Sequence, residues 1–87
     1  MNAAENMRHG ELTTIRECAA EYLAHARAVR VTGKNHQAEV KRRMVWQLLV
    51  TDLLKQPRTA LVKYALRDLT DAVSELGKSI RRFEAKS

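Results

Sequence analysis

The chain has 87 residues, enough for one small domain with a modest core and too few for two ordinary domains. Sixteen basic residues against ten acidic ones give a net charge of +6, while three glycines and one proline leave a composition typical of helical proteins. One cysteine excludes an internal disulfide framework, and no apolar window approaches the roughly 20 residues that span a bilayer. We therefore expect a cytoplasmic helical protein without membrane contact.

The N-terminal segment, residues 1–10, lacks the apolar run of a signal peptide, and we expect it to be flexible. Residues 11–87 are predicted to form one helical domain. Helix 1 is predicted over about residues 12–31, although a capping box of Thr14 and Glu17 leaves its start open. Gly33 is expected to stop it in a left-handed conformation, with Thr32 or Asn35 capping the next helix. Steps of three and four mark its apolar stripe: Leu12, Ile15, Ala19, Tyr22, Ala26 and Val29.

Helix 2 is predicted over about residues 36–55, and its two halves differ. The first turns are polar and basic, whereas from Met44 onward the apolar residues point nearly all round the helix axis. Such a helix is buried on more than one side. We expect helices 1 and 3 to cover two sides and a second subunit to cover another, with Trp46, Val50 and Leu53 as candidate interface residues.

Helix 3 is predicted over about residues 58–84, with Pro57 as its first residue and a single kinked helix 2–3 as the alternative. Its apolar residues follow the heptad spacing of coiled coils: Val62, Leu66, Leu69, Val73, Leu76, Ile80 and Phe83. Small residues beside this stripe, Ala65, Ala72 and Ser79, would let a second helix approach closely. The predicted fold is all-α, an antiparallel three-helix arrangement in a homodimer, with a monomeric bundle as the alternative.

Positive charge is concentrated around the turn between helices 1 and 2. Between residues 25 and 43, six basic residues face one acidic residue, Glu39: Arg27, Arg30, Lys34, Lys41, Arg42 and Arg43. Solvated charge at helix ends is the alternative explanation, since Arg27 and Arg30 also complement the helix 1 dipole. The last three lie in the first half of helix 2, where the dipole disfavours positive charge. The cluster therefore predicts a surface that binds nucleic acid or an acidic protein.

Other groups of residues are weaker evidence for a function. A helix-turn-helix is disfavoured because helix 2 becomes apolar after two turns, leaving little to read bases. Trp46 is one turn from Arg42, but a lone tryptophan more often anchors a core or an interface. Cys18 and His25 share a helix face yet lie about 10.5 Å apart along the axis, too far to hold one metal ion. No spacing suggests catalysis, so we expect neither enzyme activity nor a metal or cofactor.

These observations predict a small non-enzymatic protein that acts through the basic surface between helices 1 and 2, associated with nucleic acid or regulatory in role. The alternative is a protein-interaction module that regulates or inhibits a larger host complex, of the kind that phages and plasmids encode; the surplus apolar surface of helix 2 favours it. A purely structural oligomerisation unit is a third hypothesis, based on the helix 3 heptads.

Overall fold

The computed structural model describes the backbone of residues 9–86 and the side chains of residues 13–86. This part of the chain forms three helices and no strand: α1 (His9–Ala28), α2 (His36–Leu53) and α3 (Ala60–Lys86). The all-α prediction is confirmed. The predicted flexible segment falls mainly on residues 1–8, which lie outside the described residues, as does the side chain of Leu12.

The predicted start and end of helix 1 were wrong by three residues each. Because α1 begins at His9, the supposed capping box of Thr14 and Glu17 lies inside the helix. The helix ends at Ala28, well before Gly33, and Gly33 does not adopt a left-handed conformation. A tertiary contact explains the early end: the chain leaves the helical path and buries Val31, which is 8% exposed, in the core.

Asn35 closes the connection between α1 and α2. It occupies the N-cap position of α2, but its side chain makes no capping hydrogen bond. Instead its Oδ1 accepts from the backbone N of Thr32 at 2.7 Å and its Nδ2 donates to the carbonyl of Arg30 at 3.0 Å. The predicted position of the cap was therefore right, but the side chain of Asn35 bonds the preceding loop instead of the first backbone N–H groups of α2.

The connection between α2 and α3 breaks the chain into two helices, which excludes the kinked alternative. Pro57 lies in this connection and does not begin the helix as predicted. Arg58 Nη1 donates to the carbonyls of Leu53 and Gln56, each at 3.3 Å. Thr59 Oγ1 accepts from the backbone N of Val62 at 3.3 Å, which satisfies one free donor at the start of α3.

The core lies along α3, which packs against both other helices. Every residue of the predicted heptad stripe is buried or half-buried, and Val62, Leu69 and Leu76 are fully enclosed. Ala65 and Ala72 are buried as well, as expected for positions where a helix backbone approaches closely. The periodicity of the sequence thus predicted the central element of this helical bundle.

Trp46 anchors α2 in the core of the single chain. It is 2% exposed, and its ring stacks on that of Tyr22 with a centroid distance of 5.0 Å and an interplanar angle of 15°. Leu53 is 1% exposed, so of the three candidate interface residues only Val50, which is half-buried, offers any surface to a partner. The accessible apolar surface of α2 lies elsewhere, at Met44, Val45 and Leu48, each more than half exposed.

Candidate nucleic-acid interface

The structure divides the six predicted binding residues into two groups. Four side chains lie on the surface and make no ion pair in the described part of the chain: Arg27, Arg30, Lys34 and Lys41. The other two, Arg42 and Arg43, make contacts within the protein. Internal contacts thus distinguish Arg42 and Arg43 from the other four cations of the predicted cluster.

Arg42 serves a buried carboxylate. Glu39 is only 3% exposed, and its two oxygens accept from Arg42 Nε at 3.0 and 3.3 Å. His25 Nε2 lies 2.7 and 2.9 Å from the same oxygens, across from α1. A buried carboxylate requires such partners, because an unpaired charge in the interior is unfavourable. Glu39 thus links α1 to α2 through its contact with His25, and Arg42 contacts the same carboxylate from its own helix.

Arg43 joins α2 to α3. Its side chain is half-buried, and Nε donates to the carbonyl oxygen of Val73 at 3.0 Å. The guanidinium lies over Gly77, where an added Cβ would stand 2.9 Å from Nε. Arg43 therefore makes an internal contact that the prediction of a binding role did not include, and its guanidinium occupies the space beside Gly77 on the facing helix.

A groove at the end of the bundle gathers basic residues that sequence reasoning missed. It has a volume of about 510 Å³, lies between the connection 29–33 and the last turns of α3, and is lined by Arg30, Arg82 and Lys86 with Thr32 and Ser79. None of its lining residues is acidic. Arg82 and Lys86 are about fifty positions from Arg30 in the sequence, so a local charge count does not find them.

The electrostatics of this end favour an anion. Glu84 on the same helix does not line the groove, and its Oε2 lies within hydrogen-bonding distance of His36 Nε2, at 3.0 Å. Lys86 stands in the last turn of α3, where a cation complements the helix dipole, but Arg82 precedes that turn and Arg30 follows the end of α1. The dipole therefore does not account for the cluster. Guanidinium groups beside hydroxyl donors are suited to the oxygens of a phosphate.

The remaining chemical groups point to no second site of this kind. Within the described residues, histidine, cysteine, aspartate and glutamate form no group of three that could hold a metal ion. Cys18 is half-buried, and His25 packs edge-on against Trp46 with ring centroids 6.1 Å apart. Of the three helices in residues 9–86, none combines the length and the apolarity that crossing a membrane requires. No protein-family model, curated protein or solved structure matches the chain.

Proposed function

We propose that this chain is a small, non-enzymatic, cytoplasmic protein that binds nucleic acid through its basic end, defined as Arg27, Arg30, Lys34, Arg82 and Lys86. The observation that carries the proposal is the groove in which two separate segments bring three cations together without an acid. Phosphates along a nucleic acid present regularly spaced anionic oxygens that such a groove can contact. Binding at this end uses phosphate contacts and predicts a steep dependence on salt.

The contacts made by the first turns of α2 argue against base-specific recognition by this helix. Its first turns are occupied by internal contacts: Glu39 is buried, Arg43 reaches Val73, and His36 lies against Glu84 and Phe83. A recognition helix needs side chains free to enter the major groove. We therefore expect contacts that position the protein on the backbone, with little discrimination between sequences.

A protein-interaction module remains the second candidate, in which the chain regulates or inhibits a larger host complex. The exposed apolar side chains of Met44, Val45 and Leu48 favour it. We also propose the antiparallel order of consecutive helices, supported by the approach of His36 to Glu84, which pairs the start of α2 with the end of α3. The homodimer predicted from the sequence is a proposal of the same standing.

The test is binding to a labelled random-sequence DNA duplex over a salt series, with two variants that lose the same charge. The chain offers a matched pair on one helix: Arg82→Ser with Lys86→Ser at the basic end, and Arg67→Ser with Lys63→Ser near the other end of α3, all four exposed. We expect the first variant to bind about tenfold more weakly and its salt slope to fall by about 2. The second should bind within about twofold of the unchanged protein, because its charges lie outside the contact.

Equal losses in the two variants would mean that only the net charge attracts DNA, and the groove would have no role. No binding of the unchanged protein even at low salt would overturn the proposal for DNA, and the same series with single-stranded RNA would then decide it for nucleic acid as a class.

A further inference from the structure

The outward face of α2 carries a row of four residues whose spacing is the same when read in either direction. Lys41, Val45, Leu48 and Asp52 follow at spacings of four, three and four, which places them in one row along the helix. Val45 is 54% and Leu48 66% exposed, and Met44 beside them is 58% exposed. Among the side chains of residues 13–86, neither Lys41 nor Asp52 takes part in an ion pair. Two opposite charges thus flank an exposed apolar centre.

The row is complementary to a second copy of itself that runs in the opposite direction. When two copies of α2 lie antiparallel, with the twofold axis between Trp46 and Gln47, Val45 of each copy meets Leu48 of the other. Lys41 of each copy then meets Asp52 of the other, about 16.5 Å from its own Asp52 along the helix axis. Each closed contact of this kind is isologous, so one favourable pair implies its symmetric mate.

We propose that the outward face of α2 binds the same face of a second copy of this chain, in an antiparallel pair. This occupant is favoured over a different protein because the order of charges and apolar residues is complementary to itself. The row carries no net charge, whereas the chain carries +6, so this face adds no charge repulsion of its own when two copies meet. A shift of register by three residues would set Lys41 opposite Lys55, and like charges oppose it.

This inference does not depend on nucleic-acid binding. It places Lys41 in the interface between copies, while Arg30, Arg82 and Lys86 line a groove that contains no residue of the row. If the protein does not bind DNA, the proposed dimer is not contradicted. If the protein is a monomer, the proposed role of the basic end is not contradicted.

The experiment is sedimentation equilibrium of the full chain from micromolar to millimolar concentration. The unchanged protein should sediment as a dimer, and Leu48→Asp should raise the dissociation constant at least about a hundredfold, since it buries a carboxylate in the centre of the contact. Leu54→Asp is the matched control: Leu54 is 52% exposed but lies in the groove between α2 and α3, outside the row, so its dimer should be unchanged. Circular dichroism confirms that both variants fold.

Charge reversal tests the register. Lys41→Asp alone and Asp52→Lys alone each set two like-charge pairs across the axis, and each should weaken the dimer about tenfold. The double variant restores opposite pairs and should return the dissociation constant to within about threefold of the original. A monomer at millimolar concentration, a dimer indifferent to Leu48→Asp, or a double variant no better than the singles would overturn the proposal.

Discussion

The carboxylate of Glu39 is a buried polar group at the junction of α1 and α2. It is almost fully enclosed, whereas its partners His25 and Arg42 keep 37% and 44% of their side chains exposed. Removing Glu39 and removing one of its partners therefore have different costs. If Glu39 is removed, His25 and Arg42 can be hydrated instead, because both are partly exposed. The buried oxygen atoms have no such alternative.

We expect Arg42→Ala to lower the free energy of unfolding by about 2 kcal/mol, since it removes one of the two partners of the carboxylate. Glu39→Gln should cost about 1 kcal/mol, because it removes the charge itself, and the double variant should be more stable than Arg42→Ala alone. Urea unfolding measures all three. Arg67→Ala, which removes an exposed arginine on α3, is the control and should change stability by less than about 0.5 kcal/mol. A double variant weaker than Arg42→Ala would contradict this account.

Arg42 and Arg43 also show that the contacts of long side chains cannot be predicted from the sequence. Arg42 and Arg43 are adjacent and chemically identical, and charge counting assigned both to the binding surface. One instead turns to a carboxylate on its own helix, and the other crosses to a carbonyl on α3. Long side chains reach contacts that depend on how the helices are placed, and local periodicity carries no information about such placement.

At the scale of elements, α3 and the start of α2 at His36 were predictable, whereas the other helix ends were not. Seven apolar positions at heptad spacing identify the buried side of α3, because burial of one helix face imposes that period. The ends depend on single tertiary contacts: Val31 enters the core after α1, and Arg58 holds the turn before α3. The groove at the basic end was missed for a related reason, since only the three-helix order brings Arg82 near Arg30.

The contact between α2 and α3 gives a prediction about Gly77. Alanine in a helix interior is normally about 1 kcal/mol better than glycine. At Gly77 the added Cβ would stand 2.9 Å from Arg43 Nε and displace the side chain from Val73. Gly77→Ala should therefore leave stability nearly unchanged in the natural chain, but stabilise the Arg43→Ala chain by about 1 kcal/mol.

Thermal and urea unfolding of the four proteins in this cycle give the coupling between the two sites. If alanine at position 77 is equally stabilising in both backgrounds, then Arg43 does not lie over the glycine. Simultaneous replacement of Lys41, Arg42 and Arg43 would be a poor test of nucleic-acid binding for the same reason. Arg43 contacts α3, and Arg42 contacts the buried carboxylate of Glu39 on its own helix, so loss of binding and loss of structure would coincide.

The whole molecule is elongated, with extents of 43, 23 and 16 Å. α3 has 27 residues, or about 40 Å of helix, so its last turn and the basic end lie at one tip of the long axis. The start of α2 lies at the same tip, because His36 contacts Glu84. An antiparallel pair of α2 helices would therefore place the basic ends of two copies at opposite tips of the dimer.

If the basic ends bind nucleic acid as proposed, the proposed dimer has two of them, and its affinity should depend on the length of the nucleic acid. The Leu48→Asp monomer should bind a short duplex, which only one basic end can engage, as tightly as the unchanged protein does. On a long duplex the unchanged protein should bind at least about tenfold more tightly, because its second contact is intramolecular. Fluorescence anisotropy with duplexes of two lengths measures both ratios. The same ratio at both lengths would show that the two ends do not act together.

The position of Trp46 has a practical consequence for all of these measurements. It is the single tryptophan of the chain, it stacks on Tyr22 of α1, and it lies on the opposite side of α2 from Leu48. Its fluorescence therefore reports whether α1 and α2 remain packed, through a red shift when water reaches the indole. Separation of the two copies of the proposed dimer would leave that environment unchanged. One intrinsic signal thus distinguishes a variant that has lost its fold from one that has lost only its partner, without any added label.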